Sequence, residues 1–171
     1  MRPIIIAAIV VVVLLLGCVG AGAVGLFIFA GQFGPPDGAV IDVNAPKTLE
    51  VGQEAQIVVT IENQLDESRE LLDIDIYEPL FGGIEIVSIE PEAAFTDGNF
   101  GIYTASMNTT IGPLDTLVVT LTIRGTQPGY HSGDVDVSID DLFRFESTFI
   151  TIDVVEPTES APDAGAAPES P

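Results

Sequence analysis

Gln56-Ile57-Val58-Val59-Thr60-Ile61-Glu62 decides the fold. Ile57, Val59 and Ile61 fall on one side of an extended chain, and Gln56, Val58, Thr60 and Glu62 on the other. That is the period of a strand with one face buried and one wet. The pattern repeats outward. Leu117, Val119, Leu121 and Ile123 alternate with Val118, Thr120, Thr122 and Arg124. Leu72, Ile74 and Ile76 alternate with Asp73, Asp75 and Tyr77, and Val135, Val137 and Ile139 with Asp134, Asp136, Ser138 and Asp140. Ala39–Val43 and Thr48–Val51 are shorter strands around the turn Asn44-Ala45-Pro46. In Ile84–Ile89 the apolar parity switches between Ile86 and Val87, which predicts a bulge. Phe143–Val154 is long and shifts parity near Ser147. Pro79, Gly82-Gly83, Gly112-Pro113, Pro128-Gly129 and Ser132-Gly133 punctuate the chain, and Asp97-Gly98-Asn99 reads as a turn before Phe100–Ala105. No segment after Gly34 has a helical period. The expectation is an all-β antiparallel sandwich of seven to nine strands over residues 39–155, rich in β-branched residues as strands require.

On its N-terminal side the chain changes character. Ile4–Ala30 is apolar and uncharged, and a helix needs about 20 such residues to cross a bilayer core. Arg2 precedes the run and the first acidic residue after it is Asp37, so positive-inside reasoning places the N-terminus in the cytoplasm and the sandwich outside. Residues 1–30 are therefore expected to be an uncleaved, single-pass signal-anchor helix meeting the bilayer through residues 4–30. Residues 31–38, rich in Gly and Pro, form a juxtamembrane linker. A rival lies inside the run: Leu15-Leu16-Gly17-Cys18 resembles a bacterial lipobox, which would make Cys18 a lipidated N-terminus. Leu16 is larger than usual there, and Val19–Ala30 stays apolar where a lipoprotein turns polar. Cleavage near Ala21 or Ala23 is a third reading. The length of the run favours the anchor. Gly17, Ala21 and Gly25 fall four apart, a spacing that lets two membrane helices approach closely. At the other end, residues 156–171 are Pro, Ala, Glu and Ser with no large apolar side chain, a composition expected to be disordered.

The 171 residues carry a formal charge of −21. All 26 acidic residues lie at or after Asp37, opposed there only by Lys47, Arg69, Arg124 and Arg144. Nucleic acid is excluded as a partner, because polyanion binding needs a basic footprint. Close approach to anionic lipid is disfavoured for the same reason. The acidity reads as solubility outside the cytoplasm, adaptation to high salt, or divalent-cation binding. Cys18 is the single cysteine, so the sandwich has no internal disulfide and depends on its core.

Histidine is equally scarce. His131, read as an exposed residue in a turn, is the only one, and Cys18 is expected in the membrane or lipidated, which excludes Cys/His and multi-histidine zinc chemistry within one chain. Asp73/Asp75 and Asp134/Asp136 are each two apart on a strand face. They are read first as the solvated side of a sheet, and no enzyme activity is expected. Asp134, Asp136, Asp140 and Asp141, near a strand end and its loop, form the candidate calcium set, since calcium takes six to eight oxygens. No other cofactor is expected. Asn108-Thr109-Thr110 is an N-glycosylation sequon, meaningful only in a host with that machinery.

One order of features resembles a known group. Val51-Gly52-Gln53-Glu54 leads into Ile57–Asn63; Leu72–Ile76 follows with Pro79-Leu80 and Gly82-Gly83; then come Ile84–Ile89, Ile111-Gly112-Pro113 and Thr116–Ile123. Over residues 45–154 this is similar to the DUF11/CARDB-type modules of bacterial and archaeal cell surfaces. Leu114 stands where their turn usually has glycine, and Glu78-Pro79-Leu80 only loosely fits their corner. The resemblance implies an immunoglobulin-like fold and a surface or scaffolding role, and brings no catalytic residues. Combined with the anchor, it predicts an extracytoplasmic module making non-catalytic contacts with an envelope or surface protein. The alternatives are a lipoprotein carrying the same domain, or a subunit of an appendage or motor-anchoring complex.

Overall fold

A computed structural model describes residues 34–157. The expected anchor, Cys18, the Gly17/Ala21/Gly25 set and almost all of the C-terminal tail lie outside the described residues. Among the described residues, no helix is long and apolar enough to cross a membrane. Ten strands follow one another: β1 (Ala39–Asn44), β2 (Thr48–Glu50), β3 (Glu54–Asn63), β4 (Arg69–Tyr77), β5 (Ile84–Glu90), β6 (Phe95–Asn99), β7 (Ile102–Ile111), β8 (Thr116–Gly125), β9 (Gly129–Ile139) and β10 (Phe145–Val155). A single 3-10 turn, Leu80–Gly82, sits between β4 and β5.

The strands form two sheets, β1-β3-β8-β5 and β2-β10-β9-β4-β7-β6. All pairings are antiparallel except β2 with β10, where the second short strand lies parallel to the last. The first sheet has the A-B-E-D order of an immunoglobulin-like sandwich, and β10-β9-β4 corresponds to its G-F-C. The departure lies between β4 and β8. There the chain first crosses to the four-stranded sheet as β5, then returns as the β6–β7 hairpin and widens the other sheet. The count exceeds the seven to nine expected chiefly because of β6.

The inward residues of both sheets meet in one core. Ile57, Val59 and Ile61 of β3 and Val119, Leu121 and Ile123 of β8 pack with Ile74, Ile76, Val135, Val137, Ile139, Ile152 and Val154. These are the alternating sets read from the sequence. The bulge expected in β5 is present, with a register shift between Ile86 and Ser88.

Four local readings are corrected. In β4 Leu71, not Leu72, is buried, because a bulge between Leu71 and Asp73 shifts the parity by one residue. Asp97-Gly98-Asn99 is strand, paired with Thr104, Tyr103 and Ile102. The turn is Phe100-Gly101, whose positive φ of 57° and 79° suit a two-residue hairpin. β10 has no parity shift at Ser147: its ladder with β9 runs unbroken from Phe145 to Val154. The regular ladder leaves Phe145 and Phe149 on the outside instead. His131, finally, lies within β9 and not in a turn.

Polar residues fix one end of the sandwich. Asn63 is buried, its amide donating to the Glu67 and Gly112 carbonyls at 2.8 Å each while its oxygen accepts from Leu65 N–H. Arg69 is also buried, and its guanidinium bonds Asp140 and the Asp37 carbonyl. Arg144 holds the Asp37 carboxylate at 2.7 Å. Residues 34–38, read as linker, thus contact the β9–β10 turn. Leu114 has φ of 53°, the conformation glycine would supply there at lower cost.

The acidic outer face as candidate functional site

The outer face of the six-stranded sheet is built by the same alternation that builds the core. Every second residue of β10, β9, β4, β7 and β6 points to solvent, and the register sets them in rows. Ser147, Asp136, Asp75, Thr104 and Asp97 form the central row. Phe145, Ser138, Asp73, Ser106 and Phe95 form the row on one side. On the other side Phe149 stands opposite Asp134, with Tyr77, Ile102 and Asn99 beyond. These six strands contain one Lys or Arg, Arg69, and it sits on the core-facing parity beside Ile111. The face is acidic and uncompensated, and aromatic at its margins: Phe95, Phe149 and Tyr130 are more than 60% exposed.

At its centre two carboxylates oppose each other. Asp75 and Asp136 are directly paired across β4 and β9, where Cβ atoms stand about 4.5–5.5 Å apart. Asp136 is only 7% exposed. The Oδ1 atoms of both residues are buried without a hydrogen-bond partner. Thr104 of β7 stands in register with Asp75, and Tyr77 lies two residues along β4 from it. Burial pushes the Asp75 carboxyl above its usual value; the Thr104 hydroxyl opposes this, and the charges of Asp73 and Asp136 add to it. Tyr77 is pushed up to about 12, first by burial and then by Asp136, Asp75 and Asp134. Both shifts have one origin, negative charge crowded onto a partly dry surface.

The candidate calcium residues divide between two places. Asp134 and Asp136 lie on this face. Asp140 and Asp141 lie in the β9–β10 turn, where Asp140 pairs with Arg69 and accepts from Glu70 N–H at 2.7 Å, and Asp141 accepts from Phe143 N–H at 2.9 Å. The structure therefore brings Asp136 to Asp75, and commits the turn aspartates to the backbone and Arg69. Among the described residues no group of three or more His, Cys, Asp or Glu is placed to hold a metal ion. Both i, i+2 pairs were visible in the sequence; their juxtaposition depends on the β4–β9 register, which no local pattern encodes. His131 lies across the sheet from this face. Its ring fills the space above Gly83, where an added Cβ would come within 2.1 Å of it, and its Nε2 is 2.9 Å from the Gln127 carbonyl.

Fold and face together define a two-sheet, immunoglobulin-like β-sandwich with an acidic, aromatic-edged outer surface. No family model matches the chain, and no curated protein does. Among solved structures it is similar to the CARDB domain of the PF1109 protein from Pyrococcus furiosus, in complex with di-metal ions, at 16% identity over 68% of this chain and 87% of that one, with a TM-score of 0.43. It is similar also to native Escherichia coli alpha-2-macroglobulin, at 16% identity over 71% of this chain, with a TM-score of 0.48. The match spans only 7% of the macroglobulin's length. The cupredoxin domain of amoB from Nitrosocaldus yellowstonii is 14% identical over 80% of this chain and 99% of that domain, with a TM-score of 0.47.

Proposed function

We propose that this protein is a membrane-anchored, extracytoplasmic binding module of the cell envelope, acting without catalysis through the outer face of its six-stranded sheet. One observation carries the reading: Phe95, Phe145, Phe149 and Tyr130 stand exposed on the same face as Asp73, Asp75, Asp134 and Asp136. Exposed aromatic side chains beside a single-sign charge field are what a contact surface needs, the aromatics for apolar area and the charge for orientation and steering. The complementary partner is an envelope or surface protein presenting basic side chains. Ile4–Ala30 supports anchoring by a signal-anchor helix, with Gly17, Ala21 and Gly25 available for pairing with a second membrane helix.

The second reading, a lipoprotein with the same domain, is favoured by Leu15-Leu16-Gly17-Cys18. Intact mass of the membrane-purified protein separates the two: the anchor retains Met1, and the lipoprotein begins at a diacylated Cys18. The binding role is tested by photocrosslinking in native membranes from position 149, with position 58 on the opposite sheet as control. A discrete protein adduct from 149 and none from 58 is the expected result. Equal adducts from both positions, or none, would sink it.

A further inference from the structure

We propose that Asp75 and Asp136 share a divalent, oxygen-seeking cation of the calcium and magnesium class, held between their two unpartnered Oδ1 atoms. The inference goes beyond the binding role above and stands apart from it, since it concerns the buried floor of the face and not its aromatic margins. It is also distinct from the Asp134/Asp136/Asp140/Asp141 set, because Asp140 and Asp141 are spent in the turn.

The argument begins with cost. A buried carboxylate oxygen without a donor is among the more expensive features a fold can carry, and two facing each other add repulsion. Asp136, 93% removed from solvent, carries such an oxygen, and Asp75, its direct cross-strand partner, carries another. No cationic side chain can relieve them: of the described Lys and Arg residues, Arg69 binds Asp140, Arg124 binds Glu54 and Glu85, Arg144 binds Asp37, and Lys47 precedes the edge strand β2. Buried as they are, these oxygens admit a small ion and not a guanidinium from a partner.

The flanking groups suit such an ion. Asp73 and Asp134 lie on the same outer face, two residues from Asp75 and Asp136, and add negative potential. Thr104, in register with Asp75, and Tyr77, two residues along β4, bring hydroxyls to the carboxylates, the supporting role that outer polar groups play around bound ions. Two carboxylates with water completing the shell are a usual arrangement for magnesium, and a weak one for calcium. Affinity is expected in the range of extracellular modules, about 10⁻⁴–10⁻³ M.

The test is thermal unfolding of the full chain in detergent after stripping with EDTA, with about 5 mM CaCl₂ or MgCl₂ set against NaCl of equal ionic strength. At that affinity the midpoint is expected to rise by about 4–10 °C over the NaCl control. Asp75→Asn and Asp136→Asn should each abolish the rise, and Asp97→Asn, on the same face but three strands away from Asp136, should keep it. A second measurement needs no aspartate variant. Terbium bound at the pair should luminesce through Tyr77, be displaced by calcium, and lose that emission in Tyr77→Phe. No rise beyond NaCl, or an equal rise in Asp136→Asn, would overturn the proposal, the first leaving a shared proton as the neutralising species. Emission unchanged in Tyr77→Phe would place the ion elsewhere and overturn it too.

Discussion

The outer faces of the two sheets are made by the same rule and differ in how their charges are paired. On the four-stranded sheet, Glu54, Gln56, Val58, Thr60 and Glu62 of β3 lie beside Thr116, Val118, Thr120, Thr122 and Arg124 of β8. Its central charge is satisfied in register: Arg124 stands between Glu54 and Glu85 on the flanking strands and reaches them at 2.6 and 3.0 Å. On the six-stranded sheet the corresponding positions set Asp136 against Asp75, and their Oδ1 atoms reach no donor. Alternation says which residues face water. Only the cross-strand neighbour decides whether a facing charge is paired or opposed.

The largest expected effects should erase the difference between the sheets. Ile123→Ala in β8 and Ile74→Ala in β4 both truncate side chains with no exposed surface in one shared core. Each should cost about 2–5 kcal/mol in urea unfolding, through lost burial and the cavity left behind. A much smaller loss on one side would mean that its sheet contributes little to the common core.

On the outer faces the signs should part. In chelator, Asp136→Asn is expected to stabilise the protein by about 1 kcal/mol, because it removes one of two opposed charges while keeping the shape. Glu54→Gln, which strips a partner from Arg124, should be neutral or slightly destabilising. Denaturant midpoints measured side by side decide it, and two shifts of the same sign would remove the contrast.

Alkaline titration sharpens the point further. The folded protein holds the Tyr77 proton up to about 12, against 10.0 for a free phenol. The unfolded chain therefore ionises first, and stability should be intact below pH 10 and fall between pH 10 and 12. Tyr77→Phe should flatten that part of the profile and remove the latest phenolate absorbance step. The smallest effect belongs to Arg124→Ala: its exposed ion pairs should give a change in melting temperature at low salt that disappears at high salt.

Much of the fold was legible in single strands. Ile57/Val59/Ile61, Leu117/Val119/Leu121/Ile123 and Val135/Val137/Ile139 carry an alternation strong enough to assign their inward sides without a partner, and the β5 bulge showed as a slip in that alternation. Where the pattern is weak, the neighbouring strand decides. Asp97-Gly98-Asn99 has turn composition but is held as strand by β7, and the shift expected near Ser147 rests on Phe145 and Phe149, apolar side chains that the regular ladder leaves exposed. Arg69 is buried against Asp140, 71 residues along the chain, a contact no local pattern encodes.

The candidate site shows the same boundary. Composition and alternation determined that the chain is acidic, that it lacks the residues for multi-histidine chemistry, and that Asp73/Asp75 and Asp134/Asp136 lie on solvent-facing sides of strands. These are properties of residue type and of period two, and both are local. That Asp75 faces Asp136, that Tyr77 and Thr104 brace them, and that Asp140 is turned to Arg69 depends on which strands are neighbours and in what register. Tertiary structure alone decided those facts, because strand order and register are set by the packing of the whole core and by chain crossings between sheets, which no single strand encodes.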